Sequence, residues 1–194
     1  MKDYIQRQIT EARSVLGAMQ TDQVLLTQIE NAAKACIQCL TSNHKVLLAG
    51  NGGSAADAQH IAGEFVSRFM FDRPGLSAIA LTTDTSILTA IGNDYGYEQL
   101  FARQVQAHGQ SGDVLIAYST SGKSPNIISA LQEARSRGLV CIGFTGNRGG
   151  PMVTLCDHVL EVPCADTPKI QEGHLVLGHI LCGLVETAMF EAPA

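Results

Sequence analysis

Residues able to handle protons, anions and metal ions gather in three short stretches of this 194-residue chain. The first is Gly50-Asn51-Gly52-Gly53-Ser54, followed by Asp57, His60 and Glu64. The second is Ser119-Thr120-Ser121-Gly122-Lys123-Ser124-Pro125. The third is Gln171-Glu172-Gly173-His174, with His179 beyond it. Glycines and hydroxyls suit an anion, whereas imidazoles, carboxylates and an amide suit a divalent cation or proton transfer. Together they point to chemistry on a sugar phosphate.

Ser119, Thr120, Ser121 and Ser124 follow an apolar run and lead into a helical pattern. Ser124 fits the N-cap, Pro125 the first helical position and Gly122 the sharp turn. Hydroxyls beside the free N–H groups of a helix N-terminus make a phosphate cradle. Gly122-Lys123-Ser124 is not a nucleotide P-loop, because the place of its required earlier glycine is taken by Ala117. Gly50-Asn51-Gly52-Gly53-Ser54-Ala55 fits the dinucleotide fingerprint, but the acid past the next strand, Asp84, comes too late for a ribose contact. Nicotinamide binding is therefore a minor alternative.

Asp57, His60 and Glu64 share one face of a predicted helix. His60 and Glu64 are one turn apart, a spacing that suits two ligands of a divalent metal, and the pattern is not the H-E-x-x-H of zinc proteases. Gln171 and His179 lie about two turns apart on the last helix, near one face. An imidazole, a carboxylate, an amide and a second imidazole would complete a four-coordinate zinc site. His174, one turn from Gln171, competes with His179 for the last place. Asp57 is a candidate to orient His60 or Glu64. Arg68 extends the same face, as a surface residue or as a substrate contact. Asn93 and Asp94 fall in Gly92-Asn93-Asp94-Tyr95-Gly96, read as a loop with an Asx turn.

The elements that must position these groups are legible in the apolar pattern. Residues 3–41 repeat apolar positions at spacings of three and four, with Thr21-Asp22 capping the second of two helices. Runs at 45–49, 77–81, 113–118, 140–144 and 158–162 are continuously apolar, as in strands buried on both faces. Helices are predicted over 54–71, 97–107, 124–137, a short one near 151–155, and 167–190. This alternation predicts an α/β fold: a doubly wound, parallel, five-stranded sheet in a three-layer sandwich with N-terminal helices.

Composition sets the outer bounds. Hydrophobic residues make up 45% and charged residues 16%, too little polar material to cover a monomer, so an oligomer is expected. A net charge of −5 argues against nucleic acid as a partner. Met1-Lys2-Asp3-Tyr4-Ile5-Gln6 shows no secretory signal, and no apolar stretch approaches the ~20 residues of a membrane span. The six cysteines, including Cys36-Ile37-Gln38-Cys39 inside a helix, read as reduced buried thiols, which favours the cytoplasm.

At Leu48–Glu64, Leu88–Asp94, Ser119–Asn126 and Ile170–His174 the chain resembles the sugar isomerase (SIS) domain family, and the resemblance extends over essentially its whole length. It is most similar to the bacterial branch that interconverts sedoheptulose 7-phosphate and D-glycero-D-manno-heptose 7-phosphate for lipopolysaccharide core or capsule precursors. The resemblance implies a SIS domain over 43–194, with 1–42 as a helical arm of the same domain. It implies one zinc per subunit on His60, Glu64, Gln171 and His179. Substrate contacts would come from Asn51, Gly52, Gly53, Glu64, Asn93, Asp94, Ser119, Thr120, Ser121, Ser124 and Gln171, in a homotetramer. Glu64 is then the expected base and His179 the expected acid for an enediol mechanism. A non-catalytic paralogue that binds a replication initiator protein lacks the carboxylate at the Glu64 position, and this chain keeps it. Isomerases of other sugar phosphates share the cradle and remain the alternative for the substrate.

Overall fold

The computed structural model of the chain describes residues 1–190, so the last four residues of the expected 43–194 domain lie outside the described residues. Helices α1 (Lys2–Thr21) and α2 (Gln23–Thr41) come first. Asp22 divides them as expected: its carboxylate accepts from the N–H groups of Val24 and Leu25, each at 3.0 Å. Five strands follow: β1 (Val46–Ala49), β2 (Ala78–Ala80), β3 (Val114–Tyr118), β4 (Val140–Gly146) and β5 (His158–Val162). All neighbours pair in parallel, in the order β2-β1-β3-β4-β5. Between and after them run α3 (Gly53–Val66), α4 (Thr85–Tyr95), α5 (Ala102–His108), α6 (Pro125–Ser136) and α7 (Thr167–Met189).

Side chains alternate across each strand and so feed two cores. Val46, Leu48, Ile116 and Phe144 pack with α2, α3 and α7 on one face. Leu47, Leu115 and Cys141 pack with α4, α5 and α6 on the other. Every residue of β1 and β3 is buried, which is why their sequences read as unbroken apolar runs. The strand order reverses direction between β1 and β3. In open parallel sheets the crevice at the carboxyl ends of such strands is where ligands bind. The loops leaving β1 and β3 are Gly50–Gly52 and Ser119–Ser124, two of the three stretches singled out above.

Four local readings are corrected. Residues 93 and 94 are not in a loop: they form the last turn of α4, a helix the sequence reading missed. Asp84 caps that helix by accepting from Ile87 N at 2.9 Å, Ile91 buries against the sheet, and Gly96 ends it with φ 85°. The helix expected over 97–107 opens instead as a 3-10 turn at Tyr97–Gln99, with α5 proper beginning at Ala102. The short helix near 151–155 is a 3-10 turn at Gly150–Thr154. Finally, α3 stops at Val66 rather than running to residue 71. There the Arg73 guanidinium donates to the carbonyls of Glu64 at 2.8 Å, Phe65 at 2.7 Å and Ser67 at 3.3 Å. A cation from further along the chain thus satisfies carbonyls that another helical turn would have used.

Candidate active site

The β1–α3 loop is shaped by glycine. Gly52 takes φ 57°, a conformation that other residues rarely adopt. Gly53 opens α3, and a Cβ there would lie 2.4 Å from Gln171 Nε2. The absent side chain is what allows the Gln171 amide, from the first turns of α7, to rest on the loop. Two distant sequence motifs therefore meet at the carboxyl edge of the sheet.

Two turns along α3 the imidazole of His60 faces α7. Its Nε2 stands 2.8 Å from His179 Nε2 and 3.5 Å from Glu64 Oε1. One ligand atom from each of His60, Glu64 and His179 fits within a 4.8 Å cluster. His174 is elsewhere: it is fully buried, and its Nε2 lies 3.2 Å from the Thr145 carbonyl. Burial pushes the His174 imidazole down to about 4. It is His179, then, that stands with His60 and Glu64. Five residues along a helix turn about 140°, so the two histidines of α7 necessarily face different neighbours.

Support for this cluster comes from a loop beyond α3. Glu186 of α7 accepts from the N–H groups of Phe69 at 2.8 Å and Met70 at 2.6 Å, and from Arg73 Nε at 3.0 Å. Burial opposes the Glu186 charge, but these donors outweigh it and hold the carboxyl below its ordinary value. So anchored, the Phe69 ring lies against His179, with centroids 5.5 Å apart.

The Ser119–Ser124 loop leaves β3 at the same edge of the sheet as the β1–α3 loop. Gly122, at φ 63°, lies so close to Gly149 that a Cβ would meet its carbonyl oxygen at 1.8 Å. Ser124 is the N-cap residue and Pro125 follows as expected, but the Ser124 hydroxyl makes no cap bond. It pairs with the Ser119 hydroxyl at 3.0 Å. Ser121 Oγ accepts from Lys123 N at 3.2 Å. Beside this loop a cavity of about 120 Å³ is lined by Thr120, Ser121, Thr167 and Arg148 among others. Arg148 was not singled out in the sequence. Its signal was a cation in the glycine-rich turn directly after a buried strand.

Some expected members are not drawn into these contacts. Asn93 Nδ2 donates to Asp94 Oδ1 at 2.7 Å, and neither side chain bonds to the serine loop or the histidine pair among the described residues. Asp57 makes no hydrogen bond to His60 or Glu64. Its Oδ2 is buried without a partner, and burial pushes the carboxyl up to about 6. Arg68 remains exposed. Tyr97, which the sequence reading did not flag, donates its hydroxyl to Asn51 Oδ1 at 2.9 Å.

The donor set fits the zinc that the family implies. Two imidazole nitrogens and a carboxylate oxygen converge, and these are the nitrogen and oxygen donors zinc accepts. The facing Nε2 atoms need either one shared proton or a cation between them.

Comparisons with known proteins agree on the family. The SIS domain family model matches residues 9–146. A phosphoheptose isomerase from Burkholderia pseudomallei is 71% identical over 187 residues, covering 96% of this chain and 95% of that protein. One from Aneurinibacillus thermoaerophilus is 58% identical over 190 residues, covering 98% and 96%. The structure of phosphoheptose isomerase GmhA from Neisseria gonorrhoeae superposes with a TM-score of 0.90 at 41% identity, covering 96% and 98%. On this evidence the chain belongs to the SIS domain family, as a sugar phosphate isomerase.

Proposed function

We propose that the chain converts sedoheptulose 7-phosphate to D-glycero-D-manno-heptose 7-phosphate, an aldose–ketose isomerisation that opens the supply of nucleotide-activated heptose. The observation that supports this reading is the convergence of His60, Glu64 and His179 between α3 and α7, in a chain whose α6 begins at a hydroxyl-lined loop on the carboxyl edge of the same sheet. The phosphate is held by Ser119, Thr120, Ser121 and Ser124 and the first N–H groups of α6, with Arg148 adding charge. Asn51, Gly52, Gly53, Asn93, Asp94 and Gln171 hold the sugar. Glu64 removes the carbon-bound proton at C1 or C2 and returns it to the neighbouring carbon. His179 moves a proton on or off the adjacent oxygens. General acid–base transfer of this kind contributes roughly 10² to 10⁴ in rate. His60, Glu64, Gln171 and His179 would hold one zinc, which would supply Lewis-acid polarisation of the sugar carbonyl.

The same reading includes a homotetramer. Tyr4, Ile5 and Ile9 on α1 and Leu175, Ile180 and Leu184 on α7 are exposed apolar side chains, consistent with burial against other copies. No helix of the described residues is long and apolar enough to cross a membrane, and the cytoplasm is the proposed compartment.

The test is incubation of metal-replete protein with sedoheptulose 7-phosphate in heavy water. Deuterium should enter at C1 or C2 and the aldose phosphate should appear. Absence of both would favour a non-catalytic binding protein, and product from a pentose or hexose phosphate instead would reassign the substrate.

A further inference from the structure

Asn126 belongs to the serine-loop motif, yet it has no part in the chemistry above. It is the second residue of α6 and only 1% exposed. Its carboxamide meets that of Asn51 in a reciprocal pair. Asn51 Nδ2 donates to Asn126 Oδ1 at 2.9 Å, and Asn126 Nδ2 donates to Asn51 Oδ1 at 2.8 Å. Tyr97 adds its hydroxyl to the same Asn51 oxygen at 2.9 Å.

A carboxamide has two donor hydrogens and two acceptor lone pairs. For Asn51, both lone pairs and one hydrogen are used within the protein. A reciprocal amide pair uses the hydrogen on the same side as the oxygen, so the one left over points away from Asn126. Asn51 therefore offers a single N–H donor in a fixed orientation. The pair also joins the loop after β1 to the helix after β3, across the point where the strand order reverses.

We propose that Asn126 is a positioning residue that locks the Asn51 carboxamide as a one-donor ligand for an oxygen of the bound sugar phosphate, an inference that rests on the function proposed above. The group met there must be an acceptor: a carbonyl, phosphate or hydroxyl oxygen. Because the rotamer is set before binding, its ordering costs nothing when substrate arrives.

The test compares Asn51→Ala, Asn126→Ala and the double variant in the full-length, metal-replete protein. With sedoheptulose 7-phosphate as substrate, Asn126→Ala should lower kcat/KM by roughly ten- to a hundredfold. The double variant should fall no further than Asn51→Ala, because Asn126 acts only through Asn51. Additive losses, or wild-type kcat/KM in Asn126→Ala, would overturn the proposal. A second readout needs no turnover: the side-chain amide NMR signals of Asn51 in the ligand-free protein. They should be well separated in wild type and collapse toward free-amide positions in Asn126→Ala. Unchanged signals would overturn the tether. If wild type fails to turn over any sugar phosphate, the isomerase reading falls, and the NMR comparison still decides the tether.

Discussion

At the scale of single residues, the arrangement separates groups that work from groups that hold. Glu64 and His179 face each other's ligand atoms across α3 and α7, whereas His174 is sealed against the sheet. Glu64→Gln keeps nearly the same shape and removes the proposed base. Turnover should fall at least ~10²-fold with an unchanged far-ultraviolet circular dichroism spectrum, and near wild-type turnover would take Glu64 out of that role. His174 makes a stability prediction instead. Its folded value of about 4 lies below the ordinary 6.5, so between those pH values the unfolded chain binds a proton that the folded chain refuses. Stability rises with pH wherever the unfolded state binds more protons, so this contribution is intact above pH 6.5 and is lost on acidification towards pH 4, by roughly 3 kcal/mol in full. Glu186, held below its ordinary value, acts in the same direction. The proper comparison is therefore His174→Gln, which retains Glu186. Urea denaturation from pH 7 to 4.5 should show the wild-type advantage shrinking as pH falls, and parallel curves would refute it.

At the scale of elements, the end of α3 matters most. The helix stops where it does because Arg73 caps its carbonyls, and Arg73 is itself paired with Glu186 at 3.0 Å, both side chains being almost fully buried. One interaction therefore closes the helix that carries Glu64 and docks the loop that carries Phe69 onto His179. Arg73→Ala leaves the Glu186 carboxylate buried without its cation. Breaking a buried pair in this way typically costs 3–5 kcal/mol, and denaturation should show a loss of about that size. A loss below about 1 kcal/mol would mean that backbone N–H groups alone satisfy Glu186.

At the scale of the whole molecule, two helices distant in sequence are brought to one point, and a metal there would bind only the folded chain. Close to one zinc per chain is expected by elemental analysis. Stripping it should lower the thermal midpoint, because a ligand of the native state adds stability by mass action. His60→Ala and His179→Ala should lose the metal, and His174→Ala should retain it. If zinc changed neither midpoint nor rate, the cluster would be acid–base machinery alone, with the Gln171 amide as a substrate contact.

What the chain reveals unaided follows from local periodicity and turn chemistry. Unbroken apolar runs such as Val46–Ala49 mark strands covered on both faces, and Ser124-Pro125 marks the start of α6, because these signals lie within a few residues of what they specify. Side-chain type and spacing also made His60, Glu64 and His179 candidates, and the structure brings these three together. The misses share the opposite cause. The helix over 85–95 was hidden by the turn-forming Gly92-Asn93-Asp94, which are helical because Ile91 has a core to bury in. The end of α3 depends on Arg73 and, through it, on Glu186 over a hundred residues away. The choice of His179 over His174 depends on which side of α7 meets α3 and which meets the sheet. The Asn51–Asn126 pair joins residues 75 apart. Local pattern specifies elements and chemical types, but contacts between side chains distant in sequence exist only once the chain has packed, and those contacts choose among the candidates.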